Sequence, residues 1–190
     1  MKIVFLGWGS LIWDPRNLRI RKEKEWYSDG PFLPIEFARI SKDKRLTLVL
    51  SPNVDRVQVL WAYTDINELE EAIENLRQRE GTTKNRIGFV SINENKSYRQ
   101  VVPQILNCIR DWAIKKSLDA VVWTDLPSDF KEKIGDDFTE ENVIRYLENL
   151  EGDIKKKAEE YIRKAPVQVK TKMREIIERR LGWTYIGGST

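Results

Sequence analysis

The chain contains no histidine. Its absence removes Ser-His-Asp and Cys-His nucleophilic catalysis, and with them the commonest zinc ligand. Any acid–base chemistry falls to Glu, Asp, Lys or Tyr. There is one cysteine, Cys108, so an intrachain disulfide framework is excluded. Cys108 lies on the apolar stripe of a predicted helix and reads as a small core residue. No apolar run approaches the length that spans a bilayer. The opening "MKIVFLGWGSLIW" has the look of a leader, but Gly7 and Gly9 interrupt it and no small-residue cleavage site follows. It reads as a buried strand, and a cytoplasmic location is expected. Charge of one sign is also missing: 33 Lys and Arg face 30 Asp and Glu, interleaved as in "KKKAEEYIRK" (155–164) and "KTKMREIIERR" (170–180). Interleaving indicates solvated, ion-paired faces, so neither nucleic acid nor membrane is an expected partner. Abundant Lys, Glu, Arg and Ile beside few Met and Cys point to a heat-adapted protein.

What is present is enough for one domain over residues 1–190. Strand signals come first: "KIVFLG" (2–7), "LPIEFARIS" (33–41) and "RLTLVLS" (45–51), the last two joined as a hairpin by "SKDK". "RVQVLWAYT" (56–64), "RIGFVSI" (86–92) and "DAVVWTD" (119–125) follow. The clearest helix lies between the fourth and fifth strands. Asp65 and Glu68 have the spacing of a capping box, Leu69, Ala72, Ile73 and Leu76 repeat at helical period, and Gly81 stands at a C′ position. A second helix is predicted from Pro103 to Lys116, with Ile105, Leu106, Ile109, Trp112 and Ala113 inward. A third, capped by Thr139, buries Val143, Ile144, Leu147 and Leu150 and ends at Gly152. Two more follow over 154–165 and 171–182, so the part from about 137 to 182 is mainly helical. The expected fold class is α/β or α+β around one mixed, barrel-like sheet of about six strands.

Two places offer chemistry. "GWGSL" (7–11) follows a buried strand, where glycine lets backbone N–H groups face a cavity and bind an anion or oxyanion. Ser10 adds a hydroxyl. The stretch is neither a Walker A loop nor G-x-G-x-x-G, and a plain structural turn is the competing reading. Trp8 and Trp13 read either as core aromatics or as the wall of a small-molecule pocket. The second place is Glu80. The stripe through Leu69, Ala72, Ile73 and Leu76 next reaches residue 80, so a carboxylate occupies an apolar position in the last helical turn. Either Glu80 is a general acid–base, or it reaches solvent or pairs with Arg39, Arg77 or Arg86.

Together these stretches resemble the γ-glutamylcyclotransferase superfamily, most closely its ChaC-type branch. That family opens with a strand and a "YGSL" loop, often extended to "FGYGSLIW-x-P"; here the stretch is "FLGWGSLIWDP", with Trp8 in place of the loop tyrosine. Its R-x-x-S motif near an "LTL" strand is similar to "FARISKDKRLTLVL", which offers Arg39 and Ser41 at altered spacing. Its "GVAY" strand, helix and "RE" before a glycine turn are similar to "VLWAYT", the helix 65–80 and "REGTTKNRIGFV". The order of elements agrees from residue 3 to about residue 92; "AVVWTDLPSDF" (120–130) has no counterpart.

The resemblance implies metal-free, cofactor-free intramolecular aminolysis of a small γ-glutamyl substrate to 5-oxoproline. It implies Glu80 as the catalytic residue. Trp8, Gly9, Ser10, Leu11, Arg39 and Ser41 would be the substrate-binding residues. Two other classes stand beside it. One is a non-catalytic module holding an amino acid or carboxylate on the same scaffold. The other is an interaction protein whose late helices pair in a homodimer.

Overall fold

The computed structural model describes residues 1–21, 26–94, 96–98 and 102–187. In chain order these form β1 (Ile3–Gly7), β2 (Phe32–Ile40), β3 (Leu46–Leu50), β4 (Arg56–Gln58), β5 (Leu60–Tyr63), α1 (Leu69–Glu80), β6 (Ile87–Ser91) and β7 (Lys96–Tyr98). Then come α2 (Pro103–Lys115), β8 (Ala120–Thr124), α3 (Phe130–Ile134), α4 (Glu140–Glu148), α5 (Gly152–Lys164) and α6 (Lys172–Leu181). Helices and strands are mixed, as the patterning predicts. The single barrel-like sheet is not found: among the described residues the strands form two open sheets, β5-β1-β8-β6-β7 and β3-β2-β4. The stretch 56–64, expected as one strand, accounts for part of the difference. It breaks at Val59, leaving β4 in one sheet and β5 in the other. Residues 59–62 are buried in succession, a continuous run that carries no alternation from which to see the break.

By contacts the chain divides into two units, Met1–Leu33 with Gln58–Leu126, and Pro34–Val57 with Pro127–Thr190. In the first unit β1 is buried along its whole length. It pairs antiparallel with β5 (Leu6 opposite Trp61) and parallel with β8 (Phe5 opposite Val122). Parallel neighbours run out at the same end of the sheet, so the turn after β1 and the residues after β8 share that end. One face carries a cluster of Ile3, Phe5, Ile87 and Val122, covered by Ala72, Ile73 and Leu76 of α1. These are the residues whose helical spacing predicts the helix; Ile73 and Leu76 each contribute about 1.5–3 kcal/mol by burial. Cys108 on α2 is half-buried, its thiol donating to the Phe32 carbonyl at 3.3 Å. Trp112 is likewise half-buried, and its indole N–H donates to the Asp29 carbonyl at 3.0 Å.

The start of α1 corrects the expected capping box. Glu68 is the N-cap residue and makes no side-chain cap bond. Asp65 accepts instead from Arg19 Nε at 2.9 Å, and the Thr64 hydroxyl takes the Ile66 N–H at 3.1 Å. The far end is as predicted. Gly81 adopts the left-handed conformation (φ 60°, ψ 40°) and the first N–H groups beyond the helix return to Arg77 and Gln78. An added Cβ at Gly81 would meet nothing within 4 Å, so Gly81→Ala carries only the backbone penalty. The expected loss is about 1 kcal/mol, read as a lowered urea midpoint with an unchanged slope.

In the second unit β2 and β3 form the expected hairpin about "SKDK" (41–44), with Lys44 at φ 61°. Thr139 and Thr171 cap α4 and α6, their hydroxyls accepting from Asn142 and Arg174 N–H at 3.3 and 3.1 Å. α4 ends at Glu148 with Asn149 at its C-cap, not at Gly152, which instead opens α5 at φ 53°. α5 stops at Ala165 because the residue before Pro166 cannot stay helical. The short helix α3 and strand β7 carry too few residues to show a period, and neither is predicted. Among the described residues no helix is long and apolar enough to cross a membrane.

Candidate functional site

The turn after β1 is tight. Ile12 N–H donates to the Gly9 carbonyl (3.1 Å) and Asp14 N–H to the Ser10 carbonyl (2.9 Å). Glycine at position 7 makes room for packing: an added Cβ would lie 2.5 Å from the Trp26 ring, which would have to shift. Gly9 is buried and does not use the left-handed region. Trp8 and Leu11 are both buried, and Leu11 joins the cluster that holds Ile73 and Leu76. The same hydrophobic packing that seats α1 on the sheet therefore anchors the turn beside that helix. Among the described residues no backbone acceptor is found for the N–H groups of Gly9, Ser10 and Leu11.

Glu80 is the last residue of α1, fixed there because Gly81 terminates the helix. Its side chain is 15% exposed, so it is neither in the apolar core nor free in solvent. Oε1 accepts from Arg79 Nη1 at 2.9 Å. Arg79 itself is 2% exposed, and its Nη2 donates to Ser10 Oγ at 3.1 Å and to the Asp14 carbonyl at 2.6 Å. The structure thus brings Glu80 and Ser10 together through a third residue that spacing does not single out. A signal for it exists: "RE" places a cation beside the misplaced carboxylate at the helix end, where the backbone dipole favours positive charge. Arg77, one of the partners considered for Glu80, is taken by Glu74 at 2.7 Å. Its hydrogen bonds hold the Glu74 carboxyl at about 2.

A guanidinium only donates hydrogen bonds, so the Ser10 oxygen is the acceptor in its contact with Arg79. The hydroxyl proton is then directed elsewhere, and Ser10, half-buried, can donate to a ligand. Arg79 thus links the Ser10 hydroxyl and the Glu80 carboxylate at this end of the sheet. Asp125, the residue after β8, is also buried, and its N–H donates to the Arg86 carbonyl at 2.8 Å. It is a second acidic group that the sequence pattern leaves unmarked, since one buried Asp after a strand carries no periodic signal.

Arg39 and Ser41 belong to the second unit and have partners within it. Arg39 Nη1 donates to Asp129 Oδ2 at 2.8 Å and to the Pro127 carbonyl at 3.1 Å. Asp129 Oδ1 in turn accepts the Ile40 N–H at 2.8 Å. Ser41 Oγ donates to Asp43 Oδ1 (2.6 Å) and accepts the Arg45 N–H (3.0 Å), closing the hairpin turn. Each is accounted for by local structure.

The second unit also contains a cavity of about 480 Å³, lined by Glu36, Asp55, Phe138, Lys172, Met173 and Ile176 among others. It contains neither Glu80 nor the Gly9–Leu11 turn. Glu36 is 3% exposed, and its carboxylate takes the N–H groups of Phe37 (2.8 Å) and Met173 (3.2 Å). It is explained as the acceptor for the first turn of α6. Burial raises its pKa, against the lowering effect of bonds from Thr171, Phe37 and Met173. Among the described residues no group of three or more His, Cys, Asp or Glu side chains comes together as a metal site. Comparisons with protein-family models, with curated proteins and with solved structures find no match to this chain.

Proposed function

We propose that the chain is a γ-glutamylcyclotransferase-type enzyme that converts a small γ-glutamyl compound to 5-oxoproline and a free amine. The observation that carries the reading is the largely buried Glu80 carboxylate tied through Arg79 to the Ser10 turn. The motifs "GWGSLIWDP" and "RE" support it by their order and by their resemblance to the family.

In this reaction the α-nitrogen of the γ-glutamyl group attacks its own γ-carbonyl carbon. The new C–N bond closes a five-membered lactam, and the C–N bond to the attached amine breaks. Two protons leave the α-ammonium and two arrive at the departing nitrogen, so charge is conserved and no water is consumed. Glu80 accepts a proton from the α-nitrogen and delivers it to the leaving nitrogen. The amides of Gly9, Ser10 and Leu11, with the Ser10 hydroxyl, stabilise the oxygen that becomes anionic, or hold the substrate carboxylate. Because nucleophile and carbonyl belong to one molecule, much of the rate gain comes from holding it in a ring-closing shape.

The test is mass-spectrometric detection of 5-oxoproline after incubation with γ-glutamyl dipeptides, glutathione and γ-glutamylamines. Product from at least one member is expected. Ligand-induced thermal stabilisation without product from any member would instead identify a binding module, a reading to which Trp8 in place of the family's tyrosine lends weight.

A further inference from the structure

Resting on the cyclotransferase reading, we propose that Arg79 is a positioning residue: its guanidinium locks the Gly9–Asp14 turn and the Glu80 carboxylate into one rigid piece. Two terminal nitrogens do separate jobs. Nη1 holds Oε1 of Glu80 at 2.9 Å, while Nη2 holds Ser10 Oγ at 3.1 Å and the Asp14 carbonyl at 2.6 Å. The Nη2 partners lie 69 and 65 residues from Arg79 in the chain, so this side chain joins the two motifs.

Arginine suits the task for a stated reason. Its planar fork fixes the angle between its partners, whereas a lysine ammonium is a single point with no set geometry. With only 2% of the Arg79 side chain exposed, the fork works away from bulk water, where its bonds are least screened. Without it, the packing of Leu11 in the cluster with Ile73 and Leu76 still holds the turn near α1, but no polar contact sets the Ser10 hydroxyl against the Glu80 carboxylate. A misplacement of about 1 Å in such a pair costs about 100-fold in rate.

The experiment compares wild type with Arg79→Lys, Arg79→Met and Ser10→Ala, by amide hydrogen exchange of residues 8–18 and by steady-state kinetics of 5-oxoproline release. Ser10→Ala removes one Nη2 partner without touching the buried charge, and it serves if the Arg79 variants fail to fold. Exchange in the turn is expected to rise by about tenfold or more in both Arg79 variants, and less in Ser10→Ala, while β1 stays protected. With it, kcat is expected to fall about 100-fold for Arg79→Lys, with KM changed much less. Unchanged exchange in the turn in all three variants would overturn the proposal. So would a uniform rise that includes β1 with kcat retained, since that describes a staple of the fold. Wild type that forms no 5-oxoproline, combined with local loosening of the turn in the variants, would sink the cyclotransferase reading and leave the lock standing.

Discussion

Replacing Glu80 by glutamine is expected to slow 5-oxoproline release about 100-fold or more while leaving the protein folded. Glutamine matches glutamate in shape and keeps an oxygen where Oε1 accepts from Arg79 at 2.9 Å, so the bond that ties helix to turn survives in neutral form. The side chain is only 15% exposed, but the two residues match in volume, so the substitution opens no cavity. What is lost is the ability to carry a proton between the α-nitrogen and the leaving nitrogen. General acid–base groups contribute about 10²–10⁴-fold, and kcat should fall within that range. The measurement is product formation under substrate saturation beside a thermal melt. A variant that keeps its melting temperature and more than about a tenth of its activity would show that another group moves the proton. Asp125 would then be the next carboxylate to replace, because it is buried immediately after β8.

The second large effect concerns stability in the second unit. Glu36→Ala is expected to destabilise the protein by roughly 3 kcal/mol, because it leaves the Met173 N–H at the start of α6 without an acceptor in a buried setting. Glu36→Gln is milder. It retains one acceptor oxygen but turns an amide NH2 toward one of the two N–H groups that the carboxylate now satisfies. The two forms also differ with pH. Burial raises the folded-state pKa of Glu36 above its ordinary 4.5, so the folded protein holds this proton more tightly than the unfolded chain does. The stabilisation from that proton is complete below 4.5 and is lost as pH rises through the raised value. Urea melts across this window should show wild-type stability declining with pH relative to Glu36→Gln, whose amide does not titrate. A difference that stays constant, or runs the other way, would mean that the carboxylate is held ionised by its three hydrogen bonds.

How legible these features are in the sequence depends on whether the signal is local. The stripe Leu69, Ala72, Ile73 and Leu76 gives α1 directly, because a helix against a sheet must repeat its apolar residues every three or four positions. Gly81 gives its end, because the left-handed conformation there favours a residue without Cβ. Thr139 marks a helix start by the same local logic. The capping box at Asp65 and Glu68 misleads, since spacing cannot reveal that Arg19 binds the Asp65 carboxylate. Strand 56–64 misleads for a related reason: Val59 to Ala62 are buried in succession, and a run without alternation does not say where a strand changes sheets.

The candidate site divides along the same line. By itself the sequence determined that histidine-based catalysis is excluded, that β1 runs into a glycine-bearing turn at Gly9 and Ser10, and that Glu80 puts a carboxylate on the next position of the apolar stripe at the end of an amphipathic helix. These follow from composition and from periods of a few residues. Only the tertiary structure decided what lies between the turn and the carboxylate. Leu11 packs with Ile73 and Leu76, and that packing brings Arg79 within hydrogen-bonding distance of Ser10 and Asp14. It likewise gave Arg39 to Asp129. Contacts between residues some seventy or ninety positions apart leave no periodic trace, because burial of the whole sheet face, rather than any local preference, sets the distance between them.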